Sequence, residues 1–250
     1  MARLCHGGPA LALCVLCFVA QISTSTVSQK KVSFEGARNV TIAYRLDGNG
    51  FKYATEREIS TVKVWLQEVQ YQAELNLKEK LSVTIDFRIT DLQLADTQLT
   101  GILLNSTSMG SCGSGRLIHA GTVLGEMKKD LTRGSVTPNI MCVITKEKLY
   151  QDNLADLLGY TLDKTLCYST VPMILTYDRS QGRINETGIL FAELVLNSTS
   201  DDIIKEYAKN YDDRIAWKQY FNVCNKKNNR NKYSGTGKRS AVHLSQVRRS

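Results

Sequence analysis

Histidine is scarce in this sequence, which contains three in 250 residues. His6 lies near the amino terminus, and neither His119 nor His243 has a second histidine at the spacing of metal ligands. Catalytic zinc sites typically use two or three imidazoles, often one helical turn apart, together with an open water position. The sequence therefore predicts neither a bound metal nor a cofactor.

Other motifs of catalysis and binding are also missing. The cysteines that follow residue 25 include no pair with the CxxC spacing of a zinc knuckle. The stretch NSTSMGSCGSG at 105–115 is predicted to be a flexible loop, but it has no GK[ST] phosphate-binding sequence, and no serine lies in a GxSxG elbow. Cys112 and His119 could form a thiol nucleophile and its base, although half of a disulfide is the simpler interpretation of Cys112.

Long apolar runs are confined to the amino terminus. Residues 9–20 are apolar, follow a single arginine and precede a stretch rich in serine and threonine, which is typical of a secretory signal peptide. The run is too short for a stable membrane span, which needs about 20 apolar residues. We expect cleavage after Ser25, with Ala20 as the competing site, and a secreted, extracellular protein that does not span a membrane.

Cysteines and glycosylation sequons fit that compartment. Removal of residues 1–25 takes three of the seven cysteines away, and an even number in an oxidising compartment favours two disulfides, with three possible pairings. Four N-x-S/T sequons are candidates for N-linked glycans. The remaining cysteines are Cys112, Cys142, Cys167 and Cys224, and the sequons begin at Asn39, Asn105, Asn185 and Asn197.

The positive charge lies in the last 26 residues. Residues 225–250 contain no acidic residue, so removing the leader and this segment turns a net charge of +8 into one close to zero. We predict a disordered basic tail that binds heparan sulfate, anionic phospholipid or acidic protein surfaces, or that only increases solubility. Nucleic acid is not an expected partner outside the cell. The eight basic residues are Lys226, Lys227, Arg230, Lys232, Lys238, Arg239, Arg248 and Arg249.

Residues 26–224 are predicted to form one domain of the α/β (α+β) class. Alternating apolar residues indicate strands, and apolar residues at helical spacing indicate long amphipathic helices, in an order that mixes the two. A lipocalin-like carrier would need eight regular strands, which the helical segments argue against. The predicted strands are 39–46, 81–94, 139–145 and 171–178, and the predicted helices are 56–80, 117–132, 188–196 and 201–222.

This order is similar to that of reprolysin-type metzincin proteases. The stretches LLGYTLDKTLCYSTVPMILTYD at 157–178 and GILFAELVLNSTSDD at 188–202 resemble the strand that precedes the zinc helix and the helix itself. The resemblance implies a mixed twisted sheet packed by long helices. It also implies a helix with the pattern HExxHxxGxxH, in which three histidines bind zinc and the glutamate is the general base.

Only the glutamate of that pattern is present here. The first histidine position falls on Ala192, the glutamate on Glu193, the second histidine on Leu196, the glycine on Thr199 and the third histidine on Asp202. Alanine and leucine have no lone pair for a metal, and a glutamate without zinc has no polarised water to deprotonate. The resemblance therefore implies an inactive metalloprotease-like domain.

Neighbouring residues point the same way. The last methionine is Met173, so the methionine turn of metzincins is missing, and a glycan on Asn197 would obstruct a cleft beside the helix. Glu193 is interpreted as a solvated helix carboxylate, and Asp201 and Asp202 as caps of the next helix.

A second resemblance covers most of the chain. The stretches NGFKYATEREI, NLKEKLSVTIDFRITDLQLAD, HAGTVL, CVITKEKLY and LCYSTVPMILTYD resemble the secreted salivary immunosuppressants of hard ticks, the thirty-six-kilodalton Dermacentor type. This resemblance implies a salivary protein that dampens host immune responses by binding a host extracellular or lymphocyte-surface protein. It transfers no catalytic residue. The alternatives are an anti-haemostatic protein that binds glycosaminoglycan through the tail and, less favoured, an active zinc metalloprotease.

Overall fold

The computed structural model describes residues 36–109, 115–131, 138–180 and 182–234, and it describes only the backbone of Asp130 and of residues 226–234. The described residues belong to one unit, Ser33–Ser250. The predicted signal peptide, Cys112 and residues 235–250 lie outside them. In chain order the elements are β1 (Arg38–Leu46), α1 (Glu56–Leu81), β2 (Ile85–Leu94), α2 (Thr97–Asn105), β3 (Thr107–Met109), β4 (Arg116–His119), α3 (Ala120–Leu131), β5 (Ile140–Thr145), β6 (Lys148–Gln151), β7 (Leu154–Leu157), β8 (Gly159–Thr161), β9 (Val171–Thr176), α4 (Arg183–Asn197), α5 (Asp201–Ala208) and α6 (Asp213–Ser234).

The main sheet has five strands in the order β2-β1-β5-β9-β8. The first four run parallel, and β8 pairs with β9 antiparallel. The interior strands β5 and β9 are almost continuously apolar because helices cover both faces of a parallel sheet. The α/β class, with a mixed sheet packed by long helices, is confirmed, and a lipocalin-like barrel is not what the strands form.

Helix α1 is the long amphipathic helix that the sequence predicts. The Thr55 hydroxyl accepts a hydrogen bond from the Glu58 N–H at 3.2 Å and caps the first turn. Trp65 and Leu66 are fully buried in the main core, and the Trp65 indole N–H donates to the Asp178 carbonyl at 2.9 Å. The helix continues to Leu81, so the predicted strand at 81–94 begins four residues later than expected.

A smaller sheet, in the order β3-β4-β6-β7, packs with α2 and α3 around a second core. The predicted helix at 117–132 is wrong in its first three residues, which form part of β4. Leu117 and Ile118 pair with β6 in parallel, and α3 begins only at Ala120. His119 fixes this boundary, because its Nδ1 accepts a hydrogen bond from the Thr122 N–H at 3.1 Å and so acts as a helix cap.

Helix α4 packs directly on α1. A Cβ atom added to Gly188 would lie 2.4 Å from the Gln72 Cβ and 3.0 Å from the Val69 carbonyl oxygen, so only glycine allows this close approach. The helix also packs on the sheet, where Phe191 and Phe87 have ring centroids 5.1 Å apart. Helix α4 is therefore held by α1 and by the sheet.

The predicted helix at 201–222 is two helices. Helix α5 ends at Ala208, and Asp212 begins α6 by accepting a hydrogen bond from the Ile215 N–H at 2.8 Å. Helix α6 then continues to Ser234, so it extends through the first ten residues of the predicted basic tail. Extending an existing helix needs no new nucleus, and lysine and arginine are good helix formers.

None of the helices within the described ranges is both long enough and apolar enough to cross a membrane.

Candidate functional site

Helix α4 places two of the zinc-motif positions at the core and one on the surface. Ala192 is completely buried in the main core, and Leu196 packs against the same core. Glu193 is exposed and lies 3.5 Å from the Lys80 ammonium on α1, measured from Nζ to Oε1. Glu193 is therefore a solvated helix carboxylate with a surface ion partner, in agreement with the sequence interpretation.

The end of α4 is closed by its own hydrogen bonds. Ser198 and Thr199 are buried, and their hydroxyls donate to the Leu194 and Leu196 carbonyls at 2.7 and 2.6 Å. The Ser198 carbonyl accepts a further bond from the Leu166 N–H at 2.8 Å. The segment that follows α4 is therefore packed as part of the protein interior.

The two aspartates at the start of α5 do not cap it as predicted. The N-cap position is Ser200, which makes no side-chain capping bond, and Asp201 and Asp202 are the first helical residues. Acidic residues in a first turn still interact favourably with the helix dipole. The Asp201 carboxylate lies 3.2 Å from the Lys164 ammonium, and Asp202 is exposed. Asp202, at the third histidine position, is therefore a surface residue.

Tyr220 of α6 ties these segments together. Its hydroxyl donates to the Leu166 carbonyl at 2.6 Å and accepts a hydrogen bond from the Ser200 N–H at 3.1 Å. The side chain is fully buried, and this burial raises the pKa of Tyr220 to about 12. Tyr220 therefore joins three chain segments as a neutral phenol.

A disulfide holds the same region. Cys167 and Cys224 are bonded across 57 residues, which confirms two of the four predicted disulfide cysteines. The bond attaches α6 to the segment between β8 and β9. The sequence left the pairing open because neither partner is local.

The other predicted disulfide cysteines have different outcomes. Cys142 is a free thiol, so its predicted disulfide is wrong. It lies in the interior strand β5, where its side chain is completely buried in the main core, and this burial raises its pKa. Cys112 lies outside the described residues, so its pairing stays a prediction.

An aromatic cluster, formed by Tyr168, Tyr207, Trp217, Tyr220 and Phe221, covers the disulfide region. Tyr168 lies 5.8 Å from Tyr220 between ring centroids, and Trp217 stacks on Phe221 at 6.0 Å. Burial and the neighbouring Tyr207 raise the pKa of Tyr168, although 43% of that side chain remains exposed. The cluster thus has a buried floor and a partly exposed top.

Further apolar side chains are exposed in α6 and in the connection that precedes it. Tyr211, in the connection between the two helices, and Ile215 in α6 are 48% and 37% exposed. Tyrosine and tryptophan are enriched at protein interfaces, where a rigid ring provides a large contact area. Sequence reasoning assigned the apolar residues of 201–222 to one helix face and did not identify this surface.

The remaining predicted residues are scattered. His119 contacts Tyr150 at 4.9 Å between ring centroids and caps α3. Lys226, Lys227, Arg230 and Lys232 lie on the helical backbone of α6, whereas the other four basic residues, Lys238, Arg239, Arg248 and Arg249, lie outside the described residues together with His243. The described part of the chain holds no group of three histidine, cysteine, aspartate or glutamate side chains close enough to bind one metal ion.

No protein-family model and no curated protein matches the chain. Among solved structures, the archaemetzincin of Methanopyrus kandleri is similar over 67% of this chain and 76% of its own, with 10% identity and a TM-score of 0.36. A chain from the structure of a chaperone–substrate complex is similar over 65% of this chain and 23% of its own, with 8% identity and a TM-score of 0.40. Neither similarity assigns an activity to this chain.

Proposed function

We propose that this chain is a secreted, N-glycosylated protein that suppresses host immune responses by binding a host extracellular or lymphocyte-surface protein. In this proposal the domain has the architecture of a metzincin without its catalysis. The secretory part rests on the amino-terminal sequence, and the immune part rests on the sequence resemblance to tick salivary immunosuppressants.

One observation carries the proposal that the protein is not a protease. The positions of the two helical zinc ligands hold Ala192, which is buried in the main core, and Leu196, which packs against that core. The Ser198 and Thr199 hydroxyls, bonded to the last turn of α4, and the Ser200 N–H, bonded to the Tyr220 hydroxyl of the aromatic cluster, then close the segment that follows α4. Zinc-based hydrolysis needs an open, polar position beside the metal, and these side chains offer an apolar, filled one.

Metal analysis combined with a digestion assay tests the absence of protease activity. The purified secreted chain is expected to contain no stoichiometric zinc and to leave gelatin and casein intact. The Glu193→Gln variant is the matched control, because it removes the only general base that the resemblance provides and leaves the exposed surface almost unchanged. Zinc at one equivalent, with chelator-sensitive cleavage that Glu193→Gln abolishes, would refute the proposal.

The proposal that the protein binds a host protein is tested at the exposed tyrosines Tyr168 and Tyr211. Affinity capture from host plasma and leukocyte-surface proteins is expected to yield a partner that the double variant Tyr168→Ala/Tyr211→Ala binds at least tenfold more weakly. Tyr53→Ala is the matched control, because Tyr53 is 78% exposed in the loop between β1 and α1. Equal binding by all three proteins would place the binding surface elsewhere.

A second candidate function is binding to heparan sulfate or anionic phospholipid through residues 225–250. The observation that favours it is the content of eight lysine and arginine residues and no acidic residue in this segment. Charge-driven binding of this kind weakens steeply with salt. Elution from heparin is therefore expected at higher salt for the full chain than for a shortened one.

The structure refines the choice of variants for this test. Truncation after Cys224 would also remove Asn225, whose Oδ1 accepts a hydrogen bond from the Asn39 N–H at 2.9 Å. A chain that ends at Ser234 removes half of the basic residues and leaves α6 complete. A second variant replaces by glutamine the four basic residues of the tail that lie in α6, namely Lys226, Lys227, Arg230 and Lys232. Unchanged elution of both variants would remove the tail from consideration.

A further inference from the structure

The four sequons do not lie in equivalent positions. Asn105 is the last residue of α2, Asn185 lies in the first turn of α4 and Asn197 is the last residue of α4. All three asparagines are exposed. Asn39 instead lies near the start of β1, an interior strand that pairs with β2 along its length and with β5 from Ile42 onward.

Asn39 is partly buried in β1 where α6 packs on that strand, unlike the three exposed asparagines. Its amide oxygen Oδ1 is buried and has no hydrogen-bond partner among the described residues. Its backbone N–H donates to Asn225 of α6, which packs on β1. Two residues further on, the Thr41 hydroxyl donates to the buried Asn139 side chain at 2.8 Å. A glycan would be attached to the nitrogen of the same planar amide whose oxygen is enclosed here.

The attachment reaction uses that amide nitrogen. A lipid-linked oligosaccharide diphosphate is the donor: a bond forms between Asn Nδ2 and C1 of the first sugar, the bond from C1 to the phosphate oxygen breaks, Nδ2 loses a proton and the lipid diphosphate leaves. The glycan is bulky and hydrophilic, so it is compatible only with a surface position in the folded protein.

The threonines of two sequons show when the transfer takes place. Thr187 and Thr199, which lie two residues after Asn185 and Asn197, are 0% and 1% exposed. The enzyme that transfers the glycan needs access to this hydroxyl, so the transfer precedes the folding of α4. A glycan on Asn39 would place a bulky, hydrophilic group where α6 packs on β1, so chains that carry it are not expected in the folded fraction.

We propose that the folded, secreted protein carries N-linked glycans on Asn105, Asn185 and Asn197 and none on Asn39. This inference rests on the proposed secretion of the chain. It divides sequons that are indistinguishable in sequence by the position of each asparagine in the fold.

The two glycans on α4 restrict where a partner can bind. Asn185, Ile189, Glu193 and Asn197 are exposed and recur every four residues, so they share one side of the helix. The two asparagines are twelve residues apart, which corresponds to about 18 Å along the helix axis. Glycans at both ends shield the solvent side of α4, including Glu193, and leave the aromatic surface of α5 and α6 as the open one.

The test is glycan mapping on the folded protein after secretion from a eukaryotic cell line. Enzymatic removal of the glycans in ¹⁸O-water converts each modified asparagine into a labelled aspartate that is identified in its peptide. Labels are expected at Asn105, Asn185 and Asn197, and Asn39 is expected to stay unlabelled. A labelled Asn39 in the folded fraction, or an unlabelled residue among the other three, overturns the inference.

Matched variants check the assignment by intact mass. Asn105→Gln, Asn185→Gln and Asn197→Gln are each expected to lose the mass of one glycan, whereas Asn39→Thr is expected to change the mass only by the substitution. Threonine suits a strand and removes the buried amide. A loss of one glycan mass from Asn39→Thr refutes the inference.

A second chain separates this inference from the proposed function. In this second chain, the signal peptide of a protein that the expression cell line secretes replaces residues 1–25, so the chain enters the secretory pathway whatever the native leader does. Retention of the native chain in the cytosol, with the expected glycans on the second chain, refutes secretion and supports the glycan assignment.

Discussion

Removal of the disulfide between Cys167 and Cys224 is expected to destabilise the folded protein strongly. The bond links residues that are 57 apart in sequence. In the chain-entropy treatment, a closed loop of this length lowers the free energy of folding by about 4 kcal/mol, because it restricts the unfolded chain. For a domain of this size a loss of about 4 kcal/mol lowers the Tm by roughly 8–16 °C.

The assay is thermal unfolding of the purified chain with and without a reductant, beside the double variant Cys167→Ala/Cys224→Ala. Reduction leaves both sulfurs in the core, so it measures the effect of the bond more directly than the variant does. The variant is expected to melt at or below the temperature of the reduced protein, and the reductant is expected to have no effect on it. Cys142 is already a free thiol.

Two results would refute this reasoning. An unchanged Tm on reduction would mean that the bond does not restrict the unfolded chain as calculated. A reductant-sensitive Tm in the double variant would mean that a further disulfide exists, contrary to the free thiol of Cys142 in the interior of the sheet.

Three further predictions concern packing, the sheet edge and pH. Gly188→Ala is expected to lower the free energy of unfolding by about 1–3 kcal/mol in a denaturant titration, because its Cβ would overlap the Gln72 side chain; an unchanged value would contradict the close contact of α1 and α4. The Glu74 carboxylate accepts a hydrogen bond at 2.8 Å from the N–H of Phe87 in the edge strand β2. Glu74→Ala is therefore expected to promote self-association, measured by light scattering, whereas Glu74→Gln, which keeps an acceptor, is not. Equal behaviour of the two variants would exclude a role of Glu74 in protecting the sheet edge. The contribution of Tyr220 to the free energy of unfolding is expected to be fully present below about pH 10 and to fall as the pH approaches 12, because the folded protein keeps the Tyr220 proton that the unfolded chain loses. The free energy of unfolding of Tyr220→Phe should be lower at neutral pH and should fall less steeply between these pH values. Parallel pH curves for the two proteins would contradict the assignment.

The long elements were predictable because their apolar periodicity is strong. Helix α1 has six or more core residues at helical spacing, and β5 and β9 are short apolar runs that fit only buried strands. The smaller sheet was not predictable in the same way. Its strands have three or four residues, and β7 has hardly any buried side chain, so neither length nor alternation distinguishes it from a loop.

Long-range features were also beyond the sequence. The break between α5 and α6 is invisible in the periodicity, because the apolar residues on both sides of it continue in phase and only the capping Asp212 marks it. The pairing of Cys167 with Cys224 and the burial of Cys142 depend on which strands become interior. The apolar replacements at the zinc positions were visible, but not the hydrogen bonds that close the end of α4.

The contacts that position α4 do not depend on a metal ion. The fold-determining contacts of α4 are the approach to α1 at Gly188 and the contact of Phe191 with the sheet, and neither uses a metal ligand. A buried imidazole without a metal or another partner would leave a polar group unsatisfied, whereas alanine at position 192 fits the core without that cost. Alanine at position 192 and leucine at position 196 therefore stabilise this backbone by packing in or against the core, whereas Glu193 is solvated and paired with Lys80. The position of Glu193 is thus accounted for by its exposure and its ion pair with Lys80.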